Sequence, residues 1–220
     1  MPDPVSLLSS AYRELSAVLS SLTVDEGFEP TGCAGWTAVD LGFHLLSDAR
    51  RALVALHTPA DGPADTDAVD YWTAWRPPEP GDDEELWSTR VAASVHGGLP
   101  GIAGRYAETS AAVLVAAGRA TLSDVVGTQG RSLTVADLLS TLTVEAAVHH
   151  LDLVLRLDRA GPSAAPLAEV RRVLEGLLGA ALPERWDDVT AARRGTSREP
   201  LIPSDRTELG DAADAFPLFG

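Results

Sequence analysis

Glu145 and His149 are the residues least at home where this chain puts them. Leu138, Leu142, Glu145, His149 and then Asp152 or Leu153 form one seam of a helical segment. Val144, Val148, Leu151 and Leu155 flank that seam on one side; Leu139, Ala146 and Leu153 flank it on the other. The carboxylate and the imidazole therefore fall in the middle of the most apolar face. A buried carboxylate without a partner is very costly, so something must neutralise it. A spacing of four puts both groups on one helix face, a turn apart, where they could chelate a single divalent ion. A satisfied Glu–His ion pair with a buried water fits the same pattern, and on this pair alone the two readings stand level.

His44 adds a third group. It lies seven residues after Thr37, beside Leu41 and Leu45, on a second helical segment. Its rise from the helix start is about 10 Å, whereas Glu145 and His149 lie roughly 17 and 22 Å from the start of their own helix at Thr134. Antiparallel packing brings the three to similar heights; parallel packing does not. Two histidines and a glutamate, with no fourth protein ligand evident, describe an open catalytic-type zinc site, which would equally accept nickel, cobalt or iron. Asp152 reads either as the group that orients an imidazole or as an ion-pair partner of Arg156. His150 reads as a surface or packing residue. Capping and solvation account for Asp40 and Asp48, and His57 and His96 fall near loops. With no local cation and no CxxC partner, Cys33 reads as a small buried residue. Trp36 reads as a hydrophobic staple, and Arg193, Arg194 and Arg198 as an exposed, solvated cluster.

The elements that must carry these residues are helices. Asp3-Pro4 opens the first, with Leu8, Tyr12, Leu15, Leu19 and Leu22 as its apolar stripe. Thr37 with Asp40 starts the second, which ends near Pro59. A proline- and acid-rich stretch over 59–83 reads as a long crossover, and Tyr71, Trp72 and Trp75 within it predict that it packs back on the body. A third helical region runs over 83–117, broken at Gly97–Gly101. The fourth runs from Thr134 to about Arg159 and the fifth from Pro166 to Leu178; the tail from Pro183 has little periodicity. No convincing strand is evident. The expectation is an all-α four-helix bundle over 1–160, with a small helical extension over 161–220.

Composition narrows the partners. The chain of 220 residues carries 17 basic groups, all arginine, against 32 acidic ones, a net charge of −15. Such a surface repels phosphate backbones and anionic lipid, which argues against nucleic acid and membrane as partners. A single cysteine, an opening Met-Pro-Asp-Pro-Val-Ser without signal-peptide character and no long apolar run predict a soluble cytoplasmic protein, monomer or homodimer.

Thr31-Gly-Cys-Ala-Gly-Trp36-Thr37-Ala-Val-Asp40-Leu-Gly-Phe-His44 resembles the signature of the mycothiol-dependent maleylpyruvate isomerase family, relatives of the DinB-like metal-binding bundles. Glu145-Ala-Ala-Val-His149-His-Leu-Asp152-Leu is similar to that family's second motif. The tail, with Arg194-Gly-Thr-Ser-Arg198-Glu-Pro-Leu and a final Phe-Pro-Leu-Phe-Gly, is similar to short actinobacterial members. The resemblance implies a zinc ion held by His44, Glu145 and His149, and mycothiol as cosubstrate. It implies a thiol, activated by the metal, that attacks an electrophilic small molecule in an isomerase or S-transferase reaction. The family's isomerase carries a larger C-terminal domain than the stretch present here, so maleylpyruvate is not inherited as the substrate. A zinc-dependent hydrolase using metal-bound water and a non-catalytic metal- or ligand-binding bundle are the other classes this sequence admits.

Overall fold

A computed structural model of the chain describes residues 3–75 and 84–219. Eight helices and one hairpin follow in order: α1 (Pro4–Ser21), α2 (Ala38–Ala55), α3 (Glu84–Ser94), α4 (Gly98–Ala117), β1 (Val125–Thr128), β2 (Arg131–Thr134), α5 (Val135–Val154), α6 (Ala164–Leu178), α7 (Asp188–Gly195) and α8 (Pro203–Leu209). The fold is all-α, as the helical periodicities predict. The two expected caps form: Asp3 accepts from Ser6 N at 3.1 Å, and Thr37 and Asp40 close a full capping box. Left-handed Gly97 and Gly98, at φ 75° and 72°, break the third helical region into α3 and α4.

Helices α1, α2, α4 and α5 form the bundle, in which α1 packs on α4 and α5, and α2 on the same two. Leu8, Leu15, Leu41, Leu138, Leu139 and Leu142 fill its interior and are fully buried. Helix α5 is buried nearly all round because its far face meets a second core. There Val144, Val148 and Leu151 pack with Val170, Leu174, Trp186 and Phe219, so the extension shares α5 with the bundle. The crossover packs back as expected: Tyr71 and Trp72 are buried, and Trp72 stacks on Phe219 at 4.4 Å. The rest of that stretch, over 76–83, lies outside the described residues.

Two expectations are corrected. Helix α5 stops at Val154, not near Arg159, because the chain turns toward Gly161-Pro162 a turn early. The chain is also not without strands. β1 and β2 pair antiparallel, Val125 opposite Thr134 and Thr128 opposite Arg131, around Gln129-Gly130. Both turn residues have positive φ, 50° and 75°, which is the geometry of a tight hairpin turn.

The directions of α2 and α5 are set at both ends. Gly32, just before α2, donates to the Asp152 carbonyl near the end of α5 at 2.9 Å. Past the other end of α2, the Thr58 carbonyl accepts from Gly127 of the hairpin that leads into α5, also at 2.9 Å. The two helices therefore run antiparallel.

Candidate metal centre

His44 rises from α2, and Glu145 and His149 from α5, into the cleft between them. Antiparallel packing brings their tips together: His44 Nε2 lies 2.9 Å and His149 Nε2 3.3 Å from the same oxygen, Glu145 Oε1. The imidazole rings meet edge to face, with centroids 4.8 Å apart. One donor atom from each residue lies within 4.8 Å of the others. A tetrahedral ion with bonds of about 2.1 Å sets its donors about 3.4 Å apart, so small rotations of these side chains would seat one. The donor set of two imidazoles and one carboxylate suits zinc and its first-row neighbours. The side chains are 25%, 20% and 12% exposed for His44, Glu145 and His149, so the three tips are partly open to solvent.

The electrostatics are those of a tight ion pair. Burial pushes the Glu145 carboxyl up, but His149 and His44 outweigh it and hold that carboxyl well below its usual range. Burial likewise pushes the His149 imidazolium down, and Cys33, Glu145 and Asp152 outweigh it, raising His149 well above an ordinary histidine. The three groups form a mutually paired set, and the same atoms are placed to take an ion.

Behind His149 lies a second set of contacts. Its Nδ1 is 3.0 Å from Asp152 Oδ2, which fixes the ring so that Nε2 faces Glu145 and His44. Asp152 is fully buried, and burial acts against its charge. His149 and Arg198 overcome that and hold its carboxyl far below the usual carboxylate range. Arg198 reaches it with Nη2 at 3.0 Å and Nε at 3.3 Å, and donates through Nη1 to the Thr196 carbonyl at 2.7 Å. Of the two readings of Asp152, the structure has the one that orients the imidazole; its cation is Arg198, and Arg156 is exposed.

Three sequence expectations give way here. Arg198 is not solvated but clamps Asp152. Arg194 is likewise half-buried and bonded to Asp205, a fully buried carboxylate that also holds Arg185 and the Trp186 indole N–H. Cys33, read as a packing residue without a local cation, sits at the margin of the site. Its thiol donates to Asp152 Oδ2 at 3.3 Å and lies 3.6 Å from His149 Nδ1. It shares the Nδ1 side of His149, the side away from Glu145. Asp48 is not simply solvated: it is buried and ion-paired to Arg51. The remaining readings are as expected or extended. Asp40 caps α2, and His150 is a buried packing residue whose Nε2 meets the Ala160 carbonyl at 3.1 Å. Trp36 packs against the core and also sets its indole edge against His44, centroids 5.1 Å apart. Arg198 lies in the tail segment that carries the resemblance, but an aperiodic tail gives no sign that it reaches Asp152. Cys33 carried one in its place two residues from Thr31, within the loop that precedes the His44 helix.

A family model described as the mycothiol maleylpyruvate isomerase N-terminal domain matches residues 8–154, which contain His44, Glu145, His149 and Asp152. The chain belongs to this family. No curated protein and no solved structure matches it significantly.

Proposed function

We infer that the chain is a metal-dependent, mycothiol-using isomerase or S-transferase of the reducing cytoplasm, acting on an electrophilic small molecule. The observation that carries this reading is the convergence of His44 Nε2, His149 Nε2 and Glu145 Oε1 in a partly open cleft of a chain from this family. His44, Glu145 and His149 would hold the divalent ion, zinc being the best match to the donor set; when bound, it supplies Lewis acidity that lowers the pKa of a thiol.

The chain's own residues do the rest. Glu145 contributes the single negative charge of the ligand set. Asp152 accepts a hydrogen bond from His149 Nδ1–H, keeping the Nε2 lone pair directed into the cleft. Arg198 holds that carboxylate ionised and in place. Trp36 covers one edge of His44 and limits how far its ring can turn. On this reading the bundle over 1–160 carries the ligands, and the extension over 161–220 delivers the arginine that steadies them.

The test is a cobalt-substituted sample titrated with mycothiol. A new thiolate-to-cobalt charge-transfer band, absent in His149→Ala, is the expected result. A spectrum that mycothiol leaves unchanged would overturn the reading.

A further inference from the structure

On the far side of the His149 ring, a thiol, an imidazole nitrogen and a carboxylate oxygen close on a second point. Cys33 Sγ lies 3.6 Å from His149 Nδ1 and 3.3 Å from Asp152 Oδ2, and Nδ1 lies 3.0 Å from Oδ2. A tetrahedral ion with bonds of about 2.3 Å to sulfur and about 2.1 Å to nitrogen and oxygen sets its donors about 3.4–3.6 Å apart. The triangle is already near that size. The fold holds it so: Gly32 donates to the Asp152 carbonyl at 2.9 Å, and a Cβ on Gly32 would lie 2.3 Å from Asp152 Oδ1. Glycine thus lets the loop before α2 come this near the end of α5. Cys33 N–H donates to Thr31 Oγ1 at 3.2 Å, and Thr31 N–H to the Trp36 carbonyl at 3.0 Å, which fixes the stretch that presents the sulfur.

Protons alone serve this cluster poorly. His149 Nδ1, the Cys33 thiol and Arg198 Nη2 all point at Asp152 Oδ2, more donors than one oxygen has lone pairs. An ion in place of the thiol and Nδ1 protons leaves Oδ2 one metal bond and one hydrogen bond, the latter from Arg198. The charges close as well. Arg198 is near enough for its charge to act on Cys33, Asp152 and Glu145 alike. With neutral imidazoles, the Cys33 thiolate and those two carboxylates balance one arginine and one divalent ion.

We propose that Cys33 Sγ, His149 Nδ1 and Asp152 Oδ2 form a second metal site, which takes a thiophilic divalent ion and competes with the His44–Glu145–His149 set for the imidazole they share. On binding, sulfur–metal, nitrogen–metal and oxygen–metal bonds form. The thiol and Nδ1 protons pass to solvent, and the ring keeps its Nε2 proton, which faces Glu145 Oε1 at 3.3 Å. A neutral imidazole has one free lone pair, so His149 serves one site at a time. The thiolate sets the ion class, because soft sulfur selects thiophilic metals over magnesium, calcium and manganese. Capture of such an ion by Cys33 withdraws His149 from the cleft and so switches the other site off.

Cadmium is the probe, and the chain's single cysteine makes the readout specific to Cys33. Metal-free protein titrated with cadmium chloride, with no thiol added, should develop a thiolate-to-cadmium ultraviolet band that saturates at one ion per chain. His44→Ala should keep that band, because His44 meets the other side of the ring. His149→Gln and Asp152→Asn should each weaken the midpoint about tenfold or more, as loss of a ligand requires. Should Asp152→Asn lose its fold, His149→Gln still decides the matter. No band, or a midpoint that neither variant moves, as for a simple surface thiol, overturns the site. Competition is read on Cys33→Ser, which keeps the His44–Glu145–His149 set. The excess of cadmium that halves zinc retention should rise about tenfold or more over the unaltered chain, and an equal excess in both overturns the competition. Failure of mycothiol to act on the cobalt protein would refute the function inferred above and leave these outcomes untouched, since no thiol is added here.

Discussion

Replacing Asp152 by Asn tests whether the contacts behind His149 hold the site together. The change keeps the shape and removes the charge. Oδ2 of Asp152 faces the His149 ring, the Cys33 thiol and Arg198 Nη2, while Oδ1 faces Arg198 Nε. An amide oxygen can replace Oδ2, but its NH2 group then points at the Arg198 N–H, donor against donor. Breaking a fully buried pair costs about 3–5 kcal/mol; Arg198 is 19% exposed, so water recovers part of that and a loss of about 2–4 kcal/mol is expected. For a chain of this size that corresponds to a fall in Tm of roughly 5–15 °C. Metal affinity should fall about 10- to 100-fold, since the imidazole loses the anion that orients it. Guanidinium melts with and without chelator report the first effect, and competition with a coloured chelator reports the second. The double-mutant cycle with Arg198→Met should give a coupling of about 1–3 kcal/mol. A stability unchanged within about 0.5 kcal/mol, with the chelator midpoint also unmoved, would refute the argument, because surface changes alone produce shifts of that size.

Other outcomes follow from the same geometry. Removing metal with EDTA should lower Tm while leaving helical circular dichroism intact, because the Leu-rich interior does not depend on the cleft; unfolding on chelation would contradict this. The metal-free protein should lose stability as pH rises above about 6.5, the ordinary histidine value. His149 is raised above its unfolded value, so its contribution is full below about 6.5 and declines as pH climbs toward the folded value, at up to about 1.4 kcal/mol per unit. Metal-loaded protein should show the opposite slope over that range, since the ion requires neutral imidazole; parallel curves from denaturant melts would sink the assignment. Depressed Glu145 adds stability that disappears only toward acid, as pH falls through its folded value. Gly32→Ala should destabilise by about 1–3 kcal/mol, because a Cβ there would lie 2.3 Å from Asp152 Oδ1 and 3.0 Å from its Cα. Gly104→Ala, in the middle of α4 with open space around the new methyl, should instead stabilise by about 0.5–1 kcal/mol. Equal effects at the two glycines in thermal melts would contradict this.

The parts of the molecule legible in sequence are those governed by short-range rules. Asp3-Pro4, Thr37 with Asp40, and the apolar stripes of α1 and α5 each announce a helix through spacing within a few turns. The meeting of His44 with Glu145 and His149 was also legible, because only antiparallel helices put the three at one height. The hairpin was not. Four-residue strands are too short for alternation to show, and Gln129-Gly130 is a weaker turn signal than Asn-Gly. Arg198 was invisible for a different reason. Its partner lies 46 positions away, and an aperiodic tail says nothing of which surface it will cover. Composition made an exposed arginine cluster the natural reading, and a buried aspartate overturned it.

A second buried aspartate, Asp205, ties the tail together. Asp205 at the start of α8 is fully enclosed and receives Arg185, Arg194 and the Trp186 indole, so α7, α8 and the segment before them share one charge. Gly195, closing α7, lies where any Cβ would sit 2.5 Å from Leu174 of α6, so the helix end is pressed against the second core. The chain then reverses through Ser197 at φ 66°, and Arg198 emerges beside Asp152. The family match ends at residue 154, yet the carboxylate that orients His149 is held by a group more than forty residues further on. The bundle supplies the three converging donors, and the extension fixes the angle of one of them. Damage to the Asp205 lock should therefore reach the cleft through Arg198, without any contact between Asp205 and His44, Glu145 or His149.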